Sequence, residues 1–187
     1  MIASVLFDSL QGLEKLFLTR FFHLSELTPA LSCIALNGHT LKVLNFGGVY
    51  LDFKWVQIIC DNCVELSEFA VNLGPIMGHM AVNYFCENLT PKIRKLRIFT
   101  KRRFGDFDYD IQFEILTKRC NKLIALSVIG TTFTIDGINN IMKNLSQTLE
   151  KTRLIYSRVC YHLSRLSYLG KLWVLWEFQN FYTSVGP

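Results

Sequence analysis

A six-residue pattern with leucine or another apolar residue at its first, fourth and sixth positions recurs along the chain, and it constrains the fold more than any other feature. It reads Leu13-x-x-Leu16-x-Leu18, Leu41-x-x-Leu44-x-Phe46, Leu66-x-x-Phe69-x-Val71, Ile93-x-x-Leu96-x-Ile98 and Leu123-x-x-Leu126-x-Val128, then a degenerate Leu149-x-x-Thr152-x-Leu154. Successive first positions lie 28, 25, 27, 30 and 26 residues apart. Alternating apolar positions describe a short strand with one apolar edge. The intervals leave room for a helix after each strand, and residues 52–62, 76–88, 108–119 and 135–145 carry apolar residues at three- and four-residue spacing. In the last of these Ile135, Ile138, Ile141 and Met142 share a face from which Asp136, Asn139 and Asn140 are absent, and Thr134 is placed to cap it.

A period of roughly 20 to 29 residues with this pattern is that of leucine-rich repeats. The expected class is therefore α/β, a solenoid of about six repeats with a curved parallel sheet on the concave side and helices on the convex side. Strands are expected near 16–18, 44–46, 69–71, 96–98 and 126–128. Neither a strand with one apolar edge nor a helix with one apolar stripe is stable alone, so neighbouring repeats must stack to close a core. This accounts for a chain of 187 residues that is 50% apolar, 13% aromatic and only 19% charged, with a mean hydropathy of +0.25. Such a composition excludes a disordered tail.

No apolar run approaches the roughly 18 residues of a membrane span. The opening Met1–Phe7 has no basic flank and is cut by Asp8, unlike a secretory signal. The expectation is an intracellular protein, cytoplasmic or nuclear, without a membrane partner. Lys plus Arg at 20 against Asp plus Glu at 15 gives +5, but residues 91–103 hold Lys92, Arg94, Lys95, Arg97, Lys101, Arg102 and Arg103 and no acid. The basic excess is thus local. A nucleic-acid partner, which needs basic residues spread over several repeats with aromatics between them, is not expected.

The six cysteines, Cys33, Cys60, Cys63, Cys86, Cys120 and Cys160, are widely spread. Cys60-Asp-Asn-Cys63 has C-x-x-C form, yet no second close Cys or Cys/His pair completes a zinc site, and His23, His39, His79 and His162 are scattered. Reduced, buried thiols are expected, with no metal and no cofactor. Two of them recur in register: Cys63-Val-Glu-Leu66 and Cys120-Asn-Lys-Leu123 place a thiol three residues before the pattern, at the end of the preceding helix.

With Phe113-x-x-Leu116-x-x-x-Cys120-Asn-Lys-Leu123-x-x-Leu126 and Ile58-x-Cys60-x-x-Cys63-x-x-Leu66, the chain resembles, over about residues 13–155, the cysteine-containing leucine-rich repeats of F-box proteins. These are the substrate-recognition subunits of cullin-RING ubiquitin ligases. The resemblance implies a protein-binding module that selects substrates for ubiquitin-dependent degradation. The alternative is a stand-alone repeat scaffold or inhibitor without a ligase role. The Leu-Pro pair that opens an F-box is absent, and the first strand already begins at Leu13. A ligase adaptor is therefore expected as a partner only if the full-length product supplies an F-box. The repeat domain is read as 1–158, and 159–187 as a divergent tail rich in aromatics such as Trp173, Trp176, Phe178, Phe181 and Tyr182.

Strand residues between the apolar positions should project from the concave face. Among them Lys15, Phe17, Asn45, Glu68, Asn72, Lys95, Arg97, Phe99, Ser127, Lys151 and Arg153 form the candidate binding surface. Basic side chains beside aromatic ones suit an acidic or phosphorylated peptide of a protein substrate; the alternative is a solvated sheet face without a ligand. No glycine-rich phosphate loop, G-x-S-x-G or H-E-x-x-H is present, and Gly47-Gly48 lacks the following lysine of a P-loop. No enzyme is expected. Asp106, Asp108 and Asp110 lack the glycine and glutamate of a calcium loop and are read as capping the helix that starts near residue 109.

Overall fold

The computed structural model describes residues 11–18, 27–73, 79–100, 109–131 and 133–155. Strands and helices alternate: β1 Lys15–Phe17, α1 Thr28–Asn37, β2 Val43–Leu51, α2 Phe53–Asn62, β3 Glu68–Leu73, α3 His79–Asn88, β4 Lys95–Thr100, α4 Asp110–Arg119, β5 Ala125–Ile129, α5 Ile135–Leu145 and β6 Lys151–Ile155. The six strands form one parallel sheet in chain order, each pairing with the next. Its register aligns the sequence pattern with itself. Leu16, Leu44, Phe69, Leu96, Leu126 and Thr152 are successive partners across the sheet.

The same contact recurs at every junction between units. The carbonyl of the pattern's second residue, in turn Glu14, Lys42, Ser67, Arg94 and Ile124, accepts from two consecutive backbone N–H groups of the next unit at 2.8 to 3.1 Å. Parallel pairing is thereby fixed before the strand proper begins, whatever the length of the connection. Side-chain hydroxyls add to four of these junctions, and at the second of them Ser67 donates to the Lys42 carbonyl itself. Thr40 donates to the Leu13 carbonyl, Thr90 to that of Val64 and Thr148 to that of Asn121.

Each helix packs against its successor. Asp52 caps α2 by accepting from the Trp55 N–H, and Thr134 caps α5 by accepting from Gly137, the latter as expected. Pro29 opens α1, where its fixed φ is already helical. The first three helices end on asparagine, and Asn37, Asn62 and Asn88 each turn the side-chain amide back to the carbonyl four residues earlier. This satisfies one of the carbonyls that a helix end leaves open.

The apolar face of the sheet and the inward faces of the helices form one core. Through it run the edge-on contacts Phe46–Trp55 and Phe46–Phe69, and Phe69 continues to Phe85. The other face of the sheet is not covered by any described residue. Burial alternates residue by residue in β1 and β5 and over the first four residues of β4, as one-sided packing requires.

Three features depart from the sequence reading. Helix α1 was not among the expected helical stretches. Strand β2 is longer than expected and carries an irregularity between Asn45 and Tyr50, so that five steps along β2 match two along β3. Asp110 does not cap its own helix: its carboxylate accepts from the backbone N–H of Thr134 at 3.1 Å and from that residue's hydroxyl, at the start of α5. Gly137 lies against it where any Cβ would collide with the carboxylate. The proposed tail, 159–187, lies outside the described residues.

One-sided packing predicts unequal costs on the two faces. Leu96→Ala removes a buried side chain of β4 and should cost about 2 to 5 kcal/mol. Phe17→Ala, on the open face, should cost less than about 1 kcal/mol. Urea unfolding decides; equal losses would mean that both faces are covered.

Candidate functional site

The open face is built by the alternation that buries the other one. Lys15, Val43, Glu68, Lys95, Ala125 and Lys151 are register partners, and two residues on lie Phe17, Asn45, Ala70, Arg97, Ser127 and Arg153. A shallow depression of about 370 Å³ runs over these rows. Of the residues singled out from sequence, it brings together Phe17, Asn45, Glu68, Lys95, Arg97, Ser127 and Lys151. Phe17 is 58% exposed, a large apolar area with no described neighbour covering it.

The remaining expected residues lie around that depression. Lys15 is exposed at the first strand. Phe99 is half-buried in β4, in register with Asn72 and Ile129. Asn72 is only 8% exposed, so less of it is accessible than strand alternation suggests. Arg153 follows Ser127 in register, but its side chain lies outside the described residues. Lys101, Arg102 and Arg103 of the basic stretch lie outside them as well.

Electrostatically the face is cationic. Lys95 Nζ meets Glu68 Oε1 at 2.7 Å, the one ion pair on this face among the described residues. Their other pairs are Glu14–Lys42, Glu65–Lys92 and Glu114–Lys118, which lie elsewhere, so no described carboxylate neutralises Arg97 or Lys151. An exposed pair such as Glu68–Lys95 contributes little to stability, about 0 to 1 kcal/mol. Its effect is to remove the face's one acid from competition for Arg97. The basic stretch is thereby divided: Lys92 and Lys95 are engaged with Glu65 and Glu68, while Arg97 is presented to solvent.

Tyr50 was missed by the sequence reading. The β2 irregularity places it opposite Asn72, on the open face, and it is 39% exposed. The signal was Gly47-Gly48: Gly48 adopts φ +102°, a conformation that favours glycine, at the irregularity.

The thiols lie on the opposite side of the sheet. Cys33, Cys60, Cys63, Cys86 and Cys120 are all buried, and Cys60, Cys63, Cys86 and Cys120 are free thiols. Cys63 and Cys120 occupy equivalent helix ends with nearly the same backbone, φ −89° and −91°, and each N–H donates to the carbonyl four residues back. Burial pushes the thiols up, Cys60 and Cys63 to about 12 and Cys120 to about 11. Among the described residues no group of three His, Cys, Asp or Glu is placed to hold a metal, and no helix is long and apolar enough to cross a membrane.

No family model and no curated protein matches the chain.

The raised thiols set a pH dependence. Below the ordinary thiol value of 9.0 they are neutral in both folded and unfolded chains, and stability does not depend on them. Above it the unfolded chain releases protons that the folded chain keeps, so stability should fall between pH 9 and about 12. The slope is at most about 1.4 kcal/mol per pH unit for each thiol. Unfolding midpoints measured from pH 7 to 10.5 test this, with Cys63→Ala flattening the decline. In the native protein at pH 8, Cys60, Cys63 and Cys120 should react with a thiol reagent only as fast as the chain unfolds.

Proposed function

We propose that the chain is a leucine-rich-repeat solenoid that binds a protein segment on the open face of its sheet, and that it selects substrates for ubiquitin-dependent degradation. The repeat reading is supported by the five equivalent junction carbonyls, by the register that aligns each pattern with the next, and by the matched Cys63 and Cys120 helix ends. The single observation that carries the binding reading is Arg97: an exposed guanidinium in a rigid central strand, beside a depression and without a described carboxylate partner. Such a group favours a carboxylate or phosphate, which it can hold with two hydrogen bonds. The ligase role rests on the cysteine-containing repeats alone.

Arg97→Glu should weaken an acidic partner by about 1.5 to 3 kcal/mol, or roughly 10- to 150-fold. Reversal of Lys101 or Arg102, which belong to the same basic stretch and lie outside the described residues, should mainly slow association and flatten its salt dependence. Lys118→Glu, on a helix, should change neither. Affinity and association rates of these variants for a partner isolated with the wild-type chain decide the location, and equal small losses would move the site off the open face. Depleting the chain from cells should raise that partner's level and reduce its ubiquitination. Unchanged level and ubiquitination would favour the scaffold or inhibitor alternative.

A further inference from the structure

Three rows cross the open face, and the two farther from the strand starts form a line through Arg97 and a largely apolar line. Arg97 and Ser127 occupy the same row, with Lys95 and Lys151 one row nearer the strand starts. One row the other way lie Tyr50, Asn72, Phe99 and Ile129, on β2 to β5, and Asn72 is its one polar member and is nearly buried. Ile129 is half-buried like Phe99, and neither is covered by the helices, which lie on the other face. The apolar line spans three strand spacings, about 14 Å, and rows two residues apart along a strand are separated by about 7 Å.

The geometry points to a ligand segment that is extended, runs across the strands rather than along them, and alternates acidic with apolar residues. This rests on the open-face reading proposed above and adds the ligand's direction and pattern. Charge complementarity selects the acids: Glu68 is already paired with Lys95, leaving Arg97 without a described counter-charge in the row beside Phe99 and Lys151 without one a row further off. Extension follows from spacing. Two lines about 7 Å apart are narrower than a helix of roughly 10 Å. An extended chain sends successive side chains to opposite sides, so alternate residues reach the two lines while the backbone follows the boundary between Arg97 and Phe99. At about 3.3 Å per residue, four or five residues cover the 14 Å line. Tyr50 closes the β2 end, placed there by the irregularity at Gly47-Gly48.

A displayed library of random 12-residue peptides, selected on the full chain, tests this. The expected result is enrichment of an alternating acidic and aliphatic or aromatic motif. Its affinity should fall at least tenfold with Arg97→Glu and at least fivefold with either Phe99→Ala or Tyr50→Ala. Tyr50 is the more exposed of the two aromatics, so its variant keeps the test valid if Phe99→Ala unfolds the chain. Enriched peptides that are acidic without the apolar residues, sensitive to Arg97→Glu but indifferent to Tyr50→Ala, would overturn this inference and leave the open-face reading standing. Peptides indifferent to Arg97→Glu, or no enrichment, would overturn both. A benzophenone side chain at position 50 should cross-link the selected peptide. Capture instead of a second copy of this chain, or of its own residues 156–187, would also overturn the two-line arrangement.

Discussion

The structure depends on one repeated contact, the carbonyl that precedes each strand and receives two N–H groups from the following unit. Parallel strands need long crossovers, and a crossover of variable length gives no guarantee that the next strand returns in step. Here the intervals vary from 25 to 30 residues, yet the same pattern positions pair across every interface. A slip of one residue would turn Leu96 to the open face and Arg97 into the core, so the register is enforced by burial as well as by hydrogen bonding.

Asparagine and cysteine at the helix ends solve a problem created by that regularity. Each helix must stop a few residues before the next strand and turn under it, which leaves backbone carbonyls inside the protein. Asn37, Asn62 and Asn88 satisfy one such carbonyl each through an amide four residues downstream. Cys63 and Cys120 follow α2 and α4 where the chain turns into the core, at positions with almost no exposure. A thiol is small enough for that place and carries no strong hydrogen-bonding demand. These buried sulfurs are therefore explained by packing, and their raised pKa values follow from burial rather than from catalytic tuning.

How much was legible in the sequence followed from how strongly each element depends on apolar periodicity. The β strands and helices α2 to α5 were readable because large aliphatic and aromatic residues mark their buried sides. Helix α1 was not: it buries Ala30, Cys33, Ile34 and Asn37 at helical spacing, but only Ile34 is a large apolar residue, while Leu36 faces outward. Its signal is one of small size rather than hydropathy. Asp110 was misassigned because acids near a helix start ordinarily serve that helix, whereas here Gly137 lets the neighbouring helix approach closely enough to claim the carboxylate. On the open face, Phe17, Arg97 and Lys151 could be placed by counting alternate residues. Tyr50 could not, because counting fails across an irregularity whose length only the partner strand fixes.

The contrast between the two faces bears most directly on function. Burying one face of a parallel sheet under helices is enough to make the repeats fold, and nothing in that requirement selects the residues on the other. A solvated face with no ligand could be uniformly polar. This one instead exposes Phe17, sets Tyr50, Phe99 and Ile129 in one row that Asn72 interrupts, and pairs its only described acid with a lysine. Exposed aromatics lose hydrophobic stabilisation unless something covers them, and an exposed guanidinium contributes little to folding. Both groups gain most on binding: a ligand that removes water from the aromatic row also lowers the dielectric around Arg97, strengthening its hydrogen bonds to an acid. The two lines thus reinforce one another, and an acidic segment without the apolar residues, or the reverse, would leave part of that gain unused.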